Sequence, residues 1–342
     1  MKTAIFVCLA ILVSSTQYAG AEIHFLNVTD SAGLGNIHQN GFGTAILDYN
    51  SDSLLDIFVV GQGGQNKLFE NLGNMQFEDV TNLVGIQGQG DGWGVCFGDF
   101  DTDYDEDIYV SRRDLQQNDL YVCTNGVYIE SAAEYHVQDM GGFGYAACFA
   151  PFTKSLALDL FVANQAWSGH RQSCRFFANN LGGPFTNLTA SRGIADSSQY
   201  WDCASTADYD NDRDLDVLVS GESTNRLYRN DGGGFFVNVS DSARINLPRD
   251  ADTTGYGITW GDYNNDGFMD YYISNWHDQA GEMFRNNGNG TFTDVTDSLG
   301  LGQEVWCHSV SFGDFNNDGW LDLYAVTAGF GNKLYKNNEG EY

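Results

Sequence analysis

The stretch "GDFNNDGWLD" at residues 313–322 places Asp314, Asn316, Asp318 and Asp322 at positions 1, 3, 5 and 9 of a loop with Gly319 at position 6. Side-chain oxygens at alternate positions of a tight loop converge on one point, which is the geometry a hard cation such as calcium takes. An EF-hand carries its bidentate acid at position 12 between helices, whereas strand-like runs flank this loop. The pattern recurs. Asp48, Asn50, Asp52 and Asp56 repeat it, as do Asp99, Asp101, Asp103 and Asp107. Asp208, Asp210, Asp212 and Asp216 form a further copy, and Asp262, Asn264, Asp266 and Asp270 another. A degenerate copy, "APFTKSLALD", keeps the aromatic residue and the last aspartate, Asp159, but has Pro151, Thr153 and Ser155 at the other positions.

First positions fall at 48, 99, 151, 208, 262 and 314, so one unit of 51 to 57 residues is copied six times. A repeat of roughly this period signals a solenoid or a propeller. Each unit offers four short β-type runs, strands A to D, separated by turn signals, and the acidic loop joins A to B. That describes one blade of a β-propeller, so the fold class is all-β with six four-stranded blades. The sixth unit stops at "NKLYKNNEGEY", before its strand D, while "IHFLNVTDSAGLG" at 23–35 matches "GTFTDVTDSLGLG" at 290–302. Residues 24–29 are therefore expected to complete the last blade, closing the ring and hiding a sheet edge.

Residues 1–21 read as a secretory signal, with Lys2 ahead of the apolar run "AIFVCLAILV" and small residues before Glu22. Residues 22–342 are then one propeller domain. Six cysteines follow the signal (Cys96, Cys123, Cys148, Cys174, Cys203 and Cys307), an even number that favours disulfides in an oxidising compartment. The formal charge of -30 argues against nucleic acid or an anionic membrane as partner. A secreted, monomeric protein without membrane insertion is expected. The five intact loops predict about five structural calcium ions, and the degenerate loop none.

Strand direction puts the D-to-A and B-to-C connections on the face opposite the acidic loops. Trp93, Trp201 and Trp306 at strand A entries, with Trp167, His170, Trp276 and His277 in B-to-C loops, are the candidate ligand residues there, because aromatic faces beside polar groups serve both sugars and protein hot spots. Trp260, Phe97 and Phe312 share a strand A slot that reads as core. Sequons occur at Asn27, Asn187, Asn238 and Asn289. No nucleophile elbow, H-E-x-x-H or C-x-x-C motif is present, so the expected role is not enzymatic.

Units such as "GDYNNDGFMDYYISN", "RNNGNGTFTDVTDSLGL" and "NRLYRNDGGGFFVNVSDSA" resemble FG-GAP and VCBS repeats of integrin α-subunits, and most of all the propeller of the cartilage acidic protein family. That resemblance covers the mature chain and implies a secreted calcium-binding adhesion or matrix module. No region matching that family's C-terminal domain or EGF-like module follows, so functions of those parts are not carried over. Mushroom lectins with related propellers suggest glycan binding as the alternative, and a propeller hydrolase is the third reading.

Overall fold

The computed structural model describes residues 28–338 apart from 35–40, 62, 87, 114–115, 141, 156, 166–171, 196–200, 223, 247–254, 277–278, 302–306 and 328–331. The expected units are blades. Five antiparallel sheets have four strands in the order A-B-C-D, and the sixth shows three. Strands A are Gly41–Leu47, Gly92–Gly98, Gly144–Ala150, Trp201–Ala207, Gly255–Gly261 and Cys307–Gly313. Each of these touches strand A of the next blade along the chain, so strands A line the axis of a six-bladed propeller.

The core follows from this stacking. A blade presents both faces to neighbours, so its middle strand cannot alternate apolar with polar residues. Strand B is accordingly buried at every position in blades 2 to 5, as in Asp107–Arg112 and Asp270–Asn275. The apolar residues form five clusters, each a slab shared by consecutive blades: Phe58 and Tyr121 in the first, Phe100 and Phe177 in the next, then Phe161 and Val219. Leu218 and Phe284 belong to the slab between blades 4 and 5, Tyr272 and Leu323 to that between blades 5 and 6. Trp260, Phe97 and Phe312 pack against these slabs, as their slot predicts.

Polar bolts join the slabs. An asparagine at the end of strand C turns its amide toward the blade before it: Asn179 donates to the Phe100 carbonyl at 2.8 Å, Asn230 to Phe152 at 2.9 Å, Asn286 to Tyr209 at 2.7 Å and Asn337 to Tyr263 at 2.8 Å. Each of these also binds the carbonyl just before strand B of its own blade. In blade 2 the position holds Cys123, which has no side-chain amide.

Residues 28–34 show how the ends meet. They form the turn that elsewhere follows strand D, with Ala32 N–H donating to Val28 O at 2.7 Å just as Val84 donates to Val80 and Ala243 to Val239. The turn also sits on the next blade in the same way. Phe77 donates to Ala32 O at 2.9 Å, as Tyr128 does to Val84 O and Phe292 to Ala243 O. The start of the chain thus takes the place of the last blade's final turn, next to blade 1. Val28 and Thr29 belong to this turn; the rest of the expected closing strand, residues 24–27, lies outside the described residues, as does the segment read as a signal.

The even cysteine count does not produce the expected pairing at Cys96, Cys123, Cys148 and Cys203, which stand as thiols. Cys96 and Cys148 occupy one strand A slot in adjacent blades, and burial pushes the Cys148 and Cys203 thiols up to about 12. No helix among the described residues is long and apolar enough to cross a membrane.

Candidate metal loops and the axial mouth

In every intact loop the backbone wraps the first carboxylate. Asp208 accepts from the N–H groups of Asp212 at 3.0 Å and Arg213 at 2.9 Å, and Asp48, Asp99, Asp262 and Asp314 accept from the corresponding pairs. The aspartate at position 5 caps the N–H at position 7, as Asp318 does for Trp320 at 3.0 Å. Positions 4 and 6 are left-handed: Asn317 has φ 58° and Gly319 φ 89°. Glycine is at ease at position 6, where Tyr104 (φ 77°) and Arg213 (φ 73°) bear a steric cost of about 1–2 kcal/mol.

These turns gather carboxylates. Asp99, Asp101 and Asp103 can bring one oxygen each within 4.8 Å of one another, and so can Asp208, Asp210 and Asp216. Burial and then neighbouring carboxylates push the Asp101 carboxyl up to about 6. Burial raises Asp107 and Asp216 to about 8 and Asp270 to about 7, against the backbone donors that pull them down. Crowded, partly desolvated oxygens without nitrogen or sulfur suit a hard divalent cation, which would relieve the repulsion.

The aspartate at position 9 has another task. Asp216 Oδ2 accepts from Tyr209 N–H at 3.1 Å and its Oδ1 from Asn230 N–H at 2.8 Å, tying loop start to strand C. In the degenerate loop Asp159 likewise ties the loop to strand C, accepting from Asn179 at 2.9 Å and, one place later than in the intact loop, from Thr153 at 2.8 Å. Its survival there is explained by this bridge alone. Lys154 of that loop reaches Asp214 of blade 4 at 2.8 Å, so an ammonium supplies positive charge where carboxylates are missing.

At the other end of strand A the register breaks in all six blades. The break contains the residue six places before the first loop position: Phe42, Trp93, Tyr145, Asp202, Tyr256 and His308. Bulged residues are re-aimed out of the ladder. Trp93 and Tyr145, from blades 2 and 3, have ring centroids 4.7 Å apart, and the Arg113 guanidinium lies 4.7 Å over Trp93. Tyr256 stacks on Trp276 at 4.9 Å, and His308 stands edge-on to Trp276 at 4.5 Å. Successive A strands pack side by side with the break at the same end of each, so these groups gather around the axis at the end away from the acidic loops, one mouth of the ring. Burial, then Asp202 and Tyr145, raise the Tyr256 hydroxyl there.

Of the expected ligand residues, Trp93 and Trp276 are half-buried at this mouth. Trp201 is corrected: it is 0 % exposed and packs in the slab between blades 3 and 4, because it pairs with Gly221 just before the bulge and so points inward. Trp167, His170, His277 and Trp306 lie outside the described residues, as does Asn27. Asn187, Asn238 and Asn289 are exposed, each with its side-chain oxygen accepting from the residue two places on. Tyr145, Asp202 and His308 were not anticipated; counting back six places from each loop would have found them.

A model of the FG-GAP-like repeat matches residues 48–110, 208–273 and 272–325, more than half of the chain. The chain belongs to the FG-GAP-like repeat family. This FG-GAP-repeat propeller is 24% identical over 337 residues to Cartilage acidic protein 1 of Xenopus tropicalis, covering 84% of this chain and 48% of that protein. It is also 24% identical to Cartilage acidic protein 1 of Mus musculus over 274 residues, covering 74% of this chain and 41% of that protein. The chain thus spans about half the length of the curated relatives it matches. Among solved structures, an Agrocybe aegerita lectin described as recognising non-reducing terminal N-acetylglucosamine aligns with TM-score 0.58 at 15% identity, covering 90% of this chain and 80% of that one. BBS1N, solved in complex with ARL6DN, aligns with TM-score 0.55 at 8% identity, over 85% and 78% of the two chains. These likenesses show the fold.

Proposed function

We propose that this is a secreted, calcium-stabilised propeller acting as an extracellular adhesion or matrix-interaction module. Calcium is held on the acidic-loop face by Asp or Asn at positions 1, 3, 5 and 9, the last also bracing the loop, and the partner binds the opposite face. The observation that carries the reading is the chemical split along strand A, with carboxylates at one end and rings at the other, roughly 20 Å away for a seven-residue strand. The ions would lock turns, since the first and last aspartates are already committed to backbone donors and would hold a metal rigidly. Similarity to Cartilage acidic protein 1 supports an extracellular role.

Glycan binding is the second reading, favoured by the half-buried Trp276 stacked on Tyr256, a flat ring of the kind pyranoses use. Two measurements separate these possibilities. Metal analysis of the purified chain is expected to find about five calcium ions, and zero or one ends the calcium reading. Retention on immobilised matrix proteins with a silent glycan array supports adhesion; array signal abolished by Trp276→Ala supports the lectin. Turnover of a glycan or phosphoester would overturn the non-enzymatic assignment.

A further inference from the structure

Asp202 is the carboxylate in a bulge ring whose members in the adjacent blades are Tyr145 and Tyr256, with Trp93 and His308 one blade further on either side. It is 5% exposed. Its Oδ1 accepts from the Gln165 side-chain amide of blade 3, and its Oδ2 has no protein partner. A buried carboxylate oxygen without a partner is costly, so natural sites pair it with a cation or a donor. Arg113 is spread over the Trp93 ring. Glu222, whose charge also acts on Asp202, adds to the negative potential.

The surroundings narrow what could complete the site. Calcium requires six to eight oxygens, and the walls here are ring faces. A guanidinium pairs best with two acceptors in a fork, and one oxygen is free. A compact ammonium matches a single carboxylate oxygen beside π faces, and a chain of formal charge -30 attracts cations to the channel. We propose that the axial mouth binds an alkylammonium group, with Asp202 as counter-ion and the rings of Trp93, Tyr145 and Tyr256 as walls. This deepens, and rests on, the reading that partners bind the face opposite the acidic loops.

The test uses the full chain in calcium. Tryptophan fluorescence is followed while n-butylammonium chloride, n-butyltrimethylammonium chloride or n-butanol is added at constant ionic strength. Saturable binding of the ammonium ions, weakened about 10-fold or more by Asp202→Asn, is expected. Tyr256→Leu, checked for an unchanged melting temperature, is expected to weaken it as well. N-acetyl-lysine methylamide and lysine-bearing peptides then show whether the group comes from a free amine or a polypeptide. Butanol binding as well as butylammonium, or an unchanged affinity in Asp202→Asn, overturns the proposal. Should the parent chain bind a matrix protein or glycan but no ammonium ion, the ammonium site fails while the wider functional reading stands; amine binding without any matrix or glycan partner gives the reverse.

Discussion

The loops of blades 3 and 4 sit side by side and fold alike, yet one has lost its carboxylates. Lys154 and Asn211 share the left-handed backbone of position 4, with φ 60° and 62°. Asp159 and Asp216 each accept one N–H from the loop start and one from strand C, the loop donor standing at position 3 in blade 3 and position 2 in blade 4. Between them the loops divide one motif into two functions: position 9 shapes the turn, whereas positions 1, 3 and 5 provide the charge that a metal would neutralise. Motif persistence in blade 3 therefore reports architecture, and full motif strength in blade 4 adds a carboxylate cluster that could hold an ion.

The largest effect that could break this comparison is at position 9. Asp159→Ala and Asp216→Ala each strand two N–H groups, and each is expected to lose about 3 kcal/mol in urea melts with chelator present. A silent Asp159→Ala would remove the architectural half. Next comes ion binding: Asp210→Asn is expected to lower the calcium count by one and to forfeit up to about 2.7 kcal/mol of stabilisation at 100-fold excess over Kd, while Thr153→Val leaves the count unchanged. Isothermal titration and melting in calcium read both.

Acidity gives a broader, gentler test. Carboxyls raised above their unfolded values bind more protons when folded, so their contribution is full below about pH 4 and is lost as pH climbs through the raised values. With Asp101 near 6 and Asp107 and Asp216 near 8, the metal-free protein is expected to melt at lower temperature at pH 8 than at pH 5, and calcium to flatten that slope. The smallest effect is Arg213→Gly, expected to stabilise by about 1 kcal/mol by relieving a positive φ.

The blade count was legible because the acidic loops fall in register and need no tertiary knowledge. The axial mouth was not. A bulge inserts a residue at the point where alternation is being counted, and a shift by one place exchanges inside for outside. Trp201 and Asp202 show this: the tryptophan drew attention as an entry aromatic but packs inward, and the aspartate beside it, which no motif marks, occupies the break. The bracing role of position 9 was hidden for a related reason, since a carboxylate that accepts two N–H bonds and one that waits for a metal are the same letter.

The asparagine bolts bear on the order in which this ring is built. Each one grips a carbonyl of the blade synthesised before it, so a newly made blade finds its anchor already in place. Assembly can then proceed from the amino end without waiting for the whole chain. The joint between blades 1 and 2, where Cys123 replaces the amide, keeps the apolar slab around Phe58 and Tyr121 and the Tyr128-to-Val84 backbone bond but lacks the bolt. On gentle warming, amide exchange should reach that seam before the bolted ones.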